Sequence, residues 1–154
     1  MKMKDLPSQH LLASGTSMCA GCGGLAVVHQ MVDLLGPNTV IVNAAGCMTL
    51  LATYPFTPFR GSWLFTAMAS APAGAQGIRD ALAVLIKKGR IPPAEDLRVI
   101  VLAGDGSSYG MGLSATSAAI ECGLDFWYLR YDNEGYGNTG QQTSDATPHY
   151  ARTA

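Results

Sequence analysis

What this 154-residue chain lacks narrows its function before any motif is read. Charge is scarce: 14% of residues are Asp, Glu, Lys or Arg, and the formal net charge is −1. Chains that bind nucleic acid or an anionic membrane surface carry a basic excess, so neither is expected as a partner. No apolar run approaches the roughly 18 residues of a membrane-spanning helix. The amino terminus, Met1-Lys2-Met3-Lys4-Asp5-Leu6-Pro7, has lysines but no apolar stretch after them, hence no secretory signal. A cytoplasmic location is the default expectation. Internal repeats and low-complexity tracts are missing too. Candidate catalytic carboxylates are few: Asp33 and Asp80 read as helix surface, and Glu95 and Asp96 as linker. After Pro148 no helix or strand closes the chain before Ala154, so the C-terminal part of the domain is expected to be absent.

What is present points to an α/β architecture. The length suits one domain over 1–154, with a real core but little room for a complete enzyme. A 48% hydrophobic content with so little charge suggests a surface covered by other subunits. The apolar run Leu97–Ala103 breaks at Gly104-Asp105-Gly106-Ser107-Ser108. A small-residue helix pattern follows from Met111 to about Cys122, then a second apolar run from Leu124 to Tyr131. That run ends in Asp132-Asn133-Glu134-Gly135-Tyr136-Gly137-Asn138-Thr139-Gly140. Strand, helix and strand in this order form a parallel crossover. Both glycine turns then belong at the carboxyl ends of the strands, where open α/β sheets bind ligands.

Upstream, residues 1–18 read as an irregular lead-in with Pro7 and Gly15 as breakers. A helix from about Leu25 to Leu35 carries Ala26, Val27, Met31, Leu34 and Leu35 on one side and stops at Gly36-Pro37. Within it, His29 reads as a partly buried helix histidine. Thr39–Asn43 is a β-branched strand leading into Ala44-Ala45-Gly46-Cys47. Residues 53–66, with two prolines and several aromatics, read as a loop packing on a partner or over the site. A helix from about Ala73 to Lys88 carries Ile78, Leu82, Leu85 and Ile86, and Ile91-Pro92-Pro93-Ala94 links it to the central strand.

Taken alone, Gly104-Asp105-Gly106 is more readily a plain turn than a diphosphate cradle. Its glycines allow close backbone approach, and Asp105 suits the oxygen shell of Mg²⁺. Asn133 and the Gly135 carbonyl, beyond the neighbouring strand, would complete that shell. A Gly-Asp-Gly followed some thirty positions later by an Asn-bearing loop resembles the thiamine diphosphate signature. Cys19-Ala20-Gly21-Cys22 before a helix fits a dithiol or half a zinc site, although no convincing strand precedes it. Cys19, Cys22 and Cys47 together suit an iron–sulfur cluster that needs a fourth ligand. Cys122, at the end of the crossover helix, reads as structural.

The segments Cys19–Gly23, Gly46-Cys47, Gly104–Gly106 and Tyr131–Gly140 together resemble the β subunit of pyruvate:ferredoxin oxidoreductase and related 2-oxoacid:ferredoxin oxidoreductases. The similarity runs from about Met18 to Pro148. It implies the thiamine-diphosphate-binding fold, a mostly parallel doubly wound sheet with helices on both faces. It also implies three cofactors: thiamine diphosphate, Mg²⁺ and a [4Fe–4S] cluster. Cys19, Cys22 and Cys47 would ligate the cluster, and Asp105, Asn133 and the Gly135 carbonyl would hold Mg²⁺. Gly104, Gly106 and Ser107 would cradle the diphosphate, and Asn138 would contact substrate near the reactive carbon. The resemblance further implies partner subunits, one supplying the carboxylate that activates the aminopyrimidine and one carrying further clusters. Ferredoxin would accept the electrons, with coenzyme A as acyl acceptor for a pyruvate-like substrate.

Two departures stand out. The family's fourth cluster cysteine lies downstream of Ala154, and Cys122 is not a substitute for it. Phe65-Thr66-Ala67-Met68-Ala69 lacks the acidic and Asn residues found near this point in pyruvate-using relatives, which leaves other small 2-oxoacids, oxalate included, in view. Two rival readings share the motifs. One is a thiamine-dependent decarboxylase or synthase without a redox cluster, and the other a small zinc or dithiol interaction module.

Overall fold

The computed structural model describes residues 10–93 and 97–154. The lead-in expected over 1–9 and the linker positions 94–96 lie outside the described residues. Four strands form one sheet: β1 (Thr39–Ala44), β2 (Ser62–Thr66), β3 (Arg98–Gly104) and β4 (Trp127–Tyr131), in the order β2-β1-β3-β4. All three pairings are parallel, with Ile41 beside Ile100 and Val101 beside Tyr128. Three helices cover it: α1 (Gly23–Leu35), α2 (Ala71–Lys87) and α3 (Leu113–Glu121). The doubly wound α/β expectation holds.

Side chains alternate across a strand, so each strand feeds two layers. Ile41 and Leu102 face α1 and pack with Val28, Val32, Met48 and Leu51. Val42, Val99, Val101 and Ala103 face the other way and pack on Ala71 and Ala75 of α2, with α3 against α2. Being buried on both faces, β1 and β3 read as unbroken apolar runs rather than alternating ones.

Several sequence expectations shift. The supposed loop over 53–66 ends in the edge strand β2. It is exposed at Leu64 (43%) and Phe65 (40%), so no core-facing alternation marked it. In the same segment Phe59 is buried in the core beside Trp63, while Tyr54 and Phe56 are exposed. The buried stripe of α1 runs through Val28 and Val32, and Val27 and Leu34 point outward. The buried residues of α2 are Ala71, Pro72 and Ala75, leaving Leu85 exposed. From the second apolar run only 127–131 forms strand. Between β3 and α3 the chain makes a single π-helical turn, Gly106–Gly110, so α3 starts later than expected.

Candidate cofactor site

The parallel registers bring three chain breaks to one sheet edge. Ala44 pairs with Thr66, and Gly104 pairs with Tyr131, so Cys47, Asp105 and Asn133 all follow strand ends on that side. There they line one cavity with Gly46, Met68, Gly104, Gly106, Ser107, Tyr131, Gly135, Tyr136 and Asn138. Every site residue expected from the sequence is therefore brought together here except Cys19 and Cys22. At about 160 Å³ the cavity is smaller than the roughly 300–1,000 Å³ that encloses a cofactor-sized ligand.

Asp105 is the most deeply buried ionisable group of the cavity, at 1% exposure. The Ser144 hydroxyl donates to its Oδ2. The side-chain oxygen of Asn133 stands 3.0 Å from Asp105 Oδ1 and 3.0 Å from the Gly135 carbonyl. Three oxygens so close repel one another unless a proton donor or a cation stands among them. Turning the Asn133 amide over would place N–H groups there. A divalent cation explains the unturned arrangement, in which Asn133 Nδ2 donates to Cys47 Sγ at 3.6 Å. Adjacent oxygens of an Mg²⁺ octahedron with bonds of 2.0–2.1 Å lie about 2.9 Å apart. Among the described residues no Lys, Arg or His lines the cavity, and a buried carboxylate needs a counter-charge. The donor set fits Mg²⁺.

Local geometry aims these groups. Glu134 takes a left-handed conformation (φ 59°), and its amide donates to Asp132 Oδ1 at 3.1 Å, which swings the chain so that Gly135 is buried facing Asp105. Thr147 Oγ1 donates to the Glu134 carbonyl at 2.6 Å and fastens the loop. A Cβ on Gly106 would lie 2.2 Å from the Tyr136 ring, and one on Gly112 only 1.8 Å from the Ser107 carbonyl. Both positions need glycine because another group occupies that space. The Ser107 hydroxyl donates to the Ala45 carbonyl at 3.2 Å. Its part in holding an anion thus falls to its backbone N–H.

The cysteines divide between two cavities. Cys47 opens the short 3₁₀ turn Cys47–Leu51 and lines the first cavity. Cys19 and Cys22, joined by a turn (Cys22 N–H to Cys19 carbonyl, 3.1 Å), line a neighbouring one of about 650 Å³ with His10, His29 and Arg60. All are free thiols. Burial pushes the Cys47 thiol up, against hydrogen bonds from the Asn133 side chain and the Asn138 amide, and Cys22 and Cys19 add to the rise. Three unpaired thiols within electrostatic reach fit an iron–sulfur cluster in donor chemistry. Cys122 caps the far end of α3, near the amino ends of the strands, and is exposed rather than structural. Asn138 lines the first cavity.

Three functional neighbours went unread in the sequence. Tyr131 closes the floor between Gly46 and Gly104, and its phenol, which accepts from the Met48 amide at 3.4 Å, is pushed up to about 12 by burial. Tyr136 backs the glycine turn, and Ser144 orients Asp105. The aromatics sit where strand-end periodicity stops, so only their adjacency to glycine motifs could have marked them. Ser144 carries no local signal.

The family described as "Thiamine pyrophosphate enzyme, C-terminal TPP binding domain" matches residues 44–154. The pyruvate synthase subunit PorB of Methanocaldococcus jannaschii is 39% identical over 154 residues, covering 99% of this chain and 52% of that protein. PorB of Methanothermobacter thermautotrophicus is 42% identical over 149 residues, covering 96% and 49%. The ketoisovalerate oxidoreductase subunit VorB of Pyrococcus horikoshii is 34% identical, covering 99% and 49%. The chain spans about half the length of these curated relatives. In fold it resembles a chain of the 2-oxoglutarate:ferredoxin oxidoreductase from Magnetococcus marinus, with a TM-score of 0.73 at 23% identity, covering 100% of this chain and 48% of that one.

Proposed function

Since the chain belongs to the thiamine pyrophosphate enzymes, through the C-terminal TPP-binding domain that matches residues 44–154, we propose that it is the cofactor-holding part of a 2-oxoacid:ferredoxin oxidoreductase β subunit. The observation that carries this reading is the convergence of Asp105, Asn133 and Gly135 oxygens beside a glycine turn. In it Asp105, Asn133 and the Gly135 carbonyl hold Mg²⁺ against the diphosphate, while Gly104, Gly106 and the Ser107 N–H let that anion approach. When bound, thiamine diphosphate supplies the electron sink for losing CO₂ from a 2-oxoacid. The residues of this chain orient that reaction: Tyr131 closes the floor of the cavity, Tyr136 stiffens the turn and Asn138 contacts the substrate. Cys19, Cys22 and Cys47 would ligate a [4Fe–4S] cluster, which would supply one-electron transfer towards ferredoxin, and partner subunits would bring the missing carboxylate and further clusters. The setting is cytoplasmic, where four free thiols persist.

The substrate is a small 2-oxoacid. Pyruvate heads the panel because relatives are named pyruvate synthase subunits, and oxalate stays in it because 65–69 has no acidic or Asn residue. The test is an anaerobically purified complex assayed against pyruvate, branched 2-oxoacids, 2-oxoglutarate and oxalate, with and without coenzyme A, using ferredoxin as acceptor. Thiamine diphosphate binding that needs Mg²⁺ and is lost in Asp105→Ala is expected. Unaltered binding in that variant defeats the reading.

The separation of Cys19 and Cys22 from the cavity of Cys47 favours one rival, a thiamine enzyme without a redox cluster. Iron and acid-labile sulfide in the purified complex decide between them, and their absence selects the rival.

A further inference from the structure

Away from the cofactor site, three metal-ligating side chains meet at the outer side of α1. His29 and Asp33 stand one helical turn apart, the i, i+4 spacing that puts two side chains on one face. His10, on the segment preceding α1, folds back onto them. Asp33 Oδ2 lies 2.6 Å from His10 Nδ1 and 3.4 Å from His29 Nε2, and the three ligand atoms fall within 4.8 Å of one another. The imidazole rings are 5.1 Å apart at 54°, so both present nitrogens to one point instead of stacking.

Two details separate this trio from an ordinary surface ion pair. The other carboxylate oxygen, Oδ1, is held by the Leu11 amide at 2.9 Å, which fixes the carboxylate and leaves Oδ2 to the histidines. His29 Nε2 is shut off from solvent and makes no hydrogen bond among the described residues. A buried polar atom without a partner is costly to leave unsatisfied, and a metal bond would satisfy it. We propose that His10, His29 and Asp33 form a divalent-metal site, with zinc the best match and the fourth position open to the cavity lined by Cys19, Cys22 and Arg60.

The geometry favours zinc. Bonds of 2.0–2.1 Å to nitrogen and oxygen in a tetrahedron put ligands about 3.3 Å apart. The His29–Asp33 separation has that value already, and His10, the most exposed of the three, needs only to withdraw from hydrogen-bond distance. Its ligands are not those proposed for the cluster. The site would pin the segment entering the Cys19–Cys22 turn to α1 while staying separate from electron transfer.

The test loads the metal-stripped, anaerobically purified complex with Zn²⁺ in competition with a chromophoric chelator, followed by X-ray absorption at the zinc edge. One saturable site is expected, with light N/O neighbours at about 2.0–2.1 Å and no sulfur shell. Binding should weaken by about 100-fold or more in His10→Ala and in Asp33→Asn. The first variant lies in an exposed position and the second keeps an acceptor for Leu11, so both should fold. A sulfur shell near 2.3 Å, or equal binding by wild type and both variants, overturns the proposal. So does no binding at all. Thiamine diphosphate affinity, measured in parallel, reports on the cofactor site independently.

Discussion

At the scale of single residues, Asp105 and Ser144 form a hierarchy that mutation can separate. Asp105→Ala removes the only carboxylate lining the cavity among the described residues and should abolish Mg²⁺-dependent thiamine diphosphate binding. Ser144→Ala removes only the hydroxyl that steers Oδ2. It should weaken Mg²⁺ by about tenfold, as losses behind a metal ligand do, with saturating Mg²⁺ restoring cofactor binding in an equilibrium titration. Tyr131 offers a pH signature. Its folded pKa of about 12 lies above the ordinary tyrosine value near 10. Between pH 10 and 12 the unfolded chain has lost that proton while the folded one retains it, so this contribution to stability is present below pH 10 and disappears as pH climbs through 12. Tyr131→Phe should flatten that alkaline loss in a chemical-denaturation series and remove the last-ionising phenol from the 295 nm titration.

At the scale of elements, the sheet edge is the working part and the π-helical turn its most constrained piece. Gly112→Ala would drive a methyl into the Ser107 carbonyl. A loss of about 3 kcal/mol, as overpacking gives, together with loss of cofactor binding, is the expected outcome by denaturant titration. Leu102→Ala, in the fully buried centre of β3, should cost about 2–5 kcal/mol but leave residual cofactor binding in the folded fraction. The same scale shows what could be read from the sequence. β1, β3 and their glycine turns were legible because strands buried on both faces are continuous apolar runs that stop at the ligand edge. β2 was not, since an edge strand exposed at Leu64 and Phe65 shares its composition with a loop. The stripe of α1 was misplaced by one position because apolar residues occupy both sides of that helix, and only packing against Ile41 and Leu102 selects Val28 and Val32. Asp33 looked like solvated helix surface because nothing local reveals that His10 returns to meet it.

At the scale of the whole molecule, exposed apolar side chains crowd the flank made by α3 and β4, with Met111, Leu113, Ile120 and Trp127 all more than half exposed. With so little charge on the chain, that flank is suited to burial against another subunit. Among the described residues the cavity has no carboxylate besides Asp105, which is committed to Mg²⁺ in the proposed site, so none of them offers the aminopyrimidine ring an activating acid. On the proposed reading, the purified chain alone should show no 2-oxoacid oxidation in a ferredoxin-reduction assay. Turnover by the chain alone would contradict this.

Cys47 joins the two halves of this arrangement at one atom. Its sulfur accepts from the side chain of Asn133 and the amide of Asn138, and a Cβ on Gly137 would come within 3.2 Å of it. An oxygen added to that sulfur would compete with the two N–H donors that tie it to residues 133 and 138. In the proposed site, air damage at this one thiol would disturb both the loop offered to magnesium and a ligand offered to iron, so that oxygen sensitivity and failure to retain the vitamin would arrive as a single lesion.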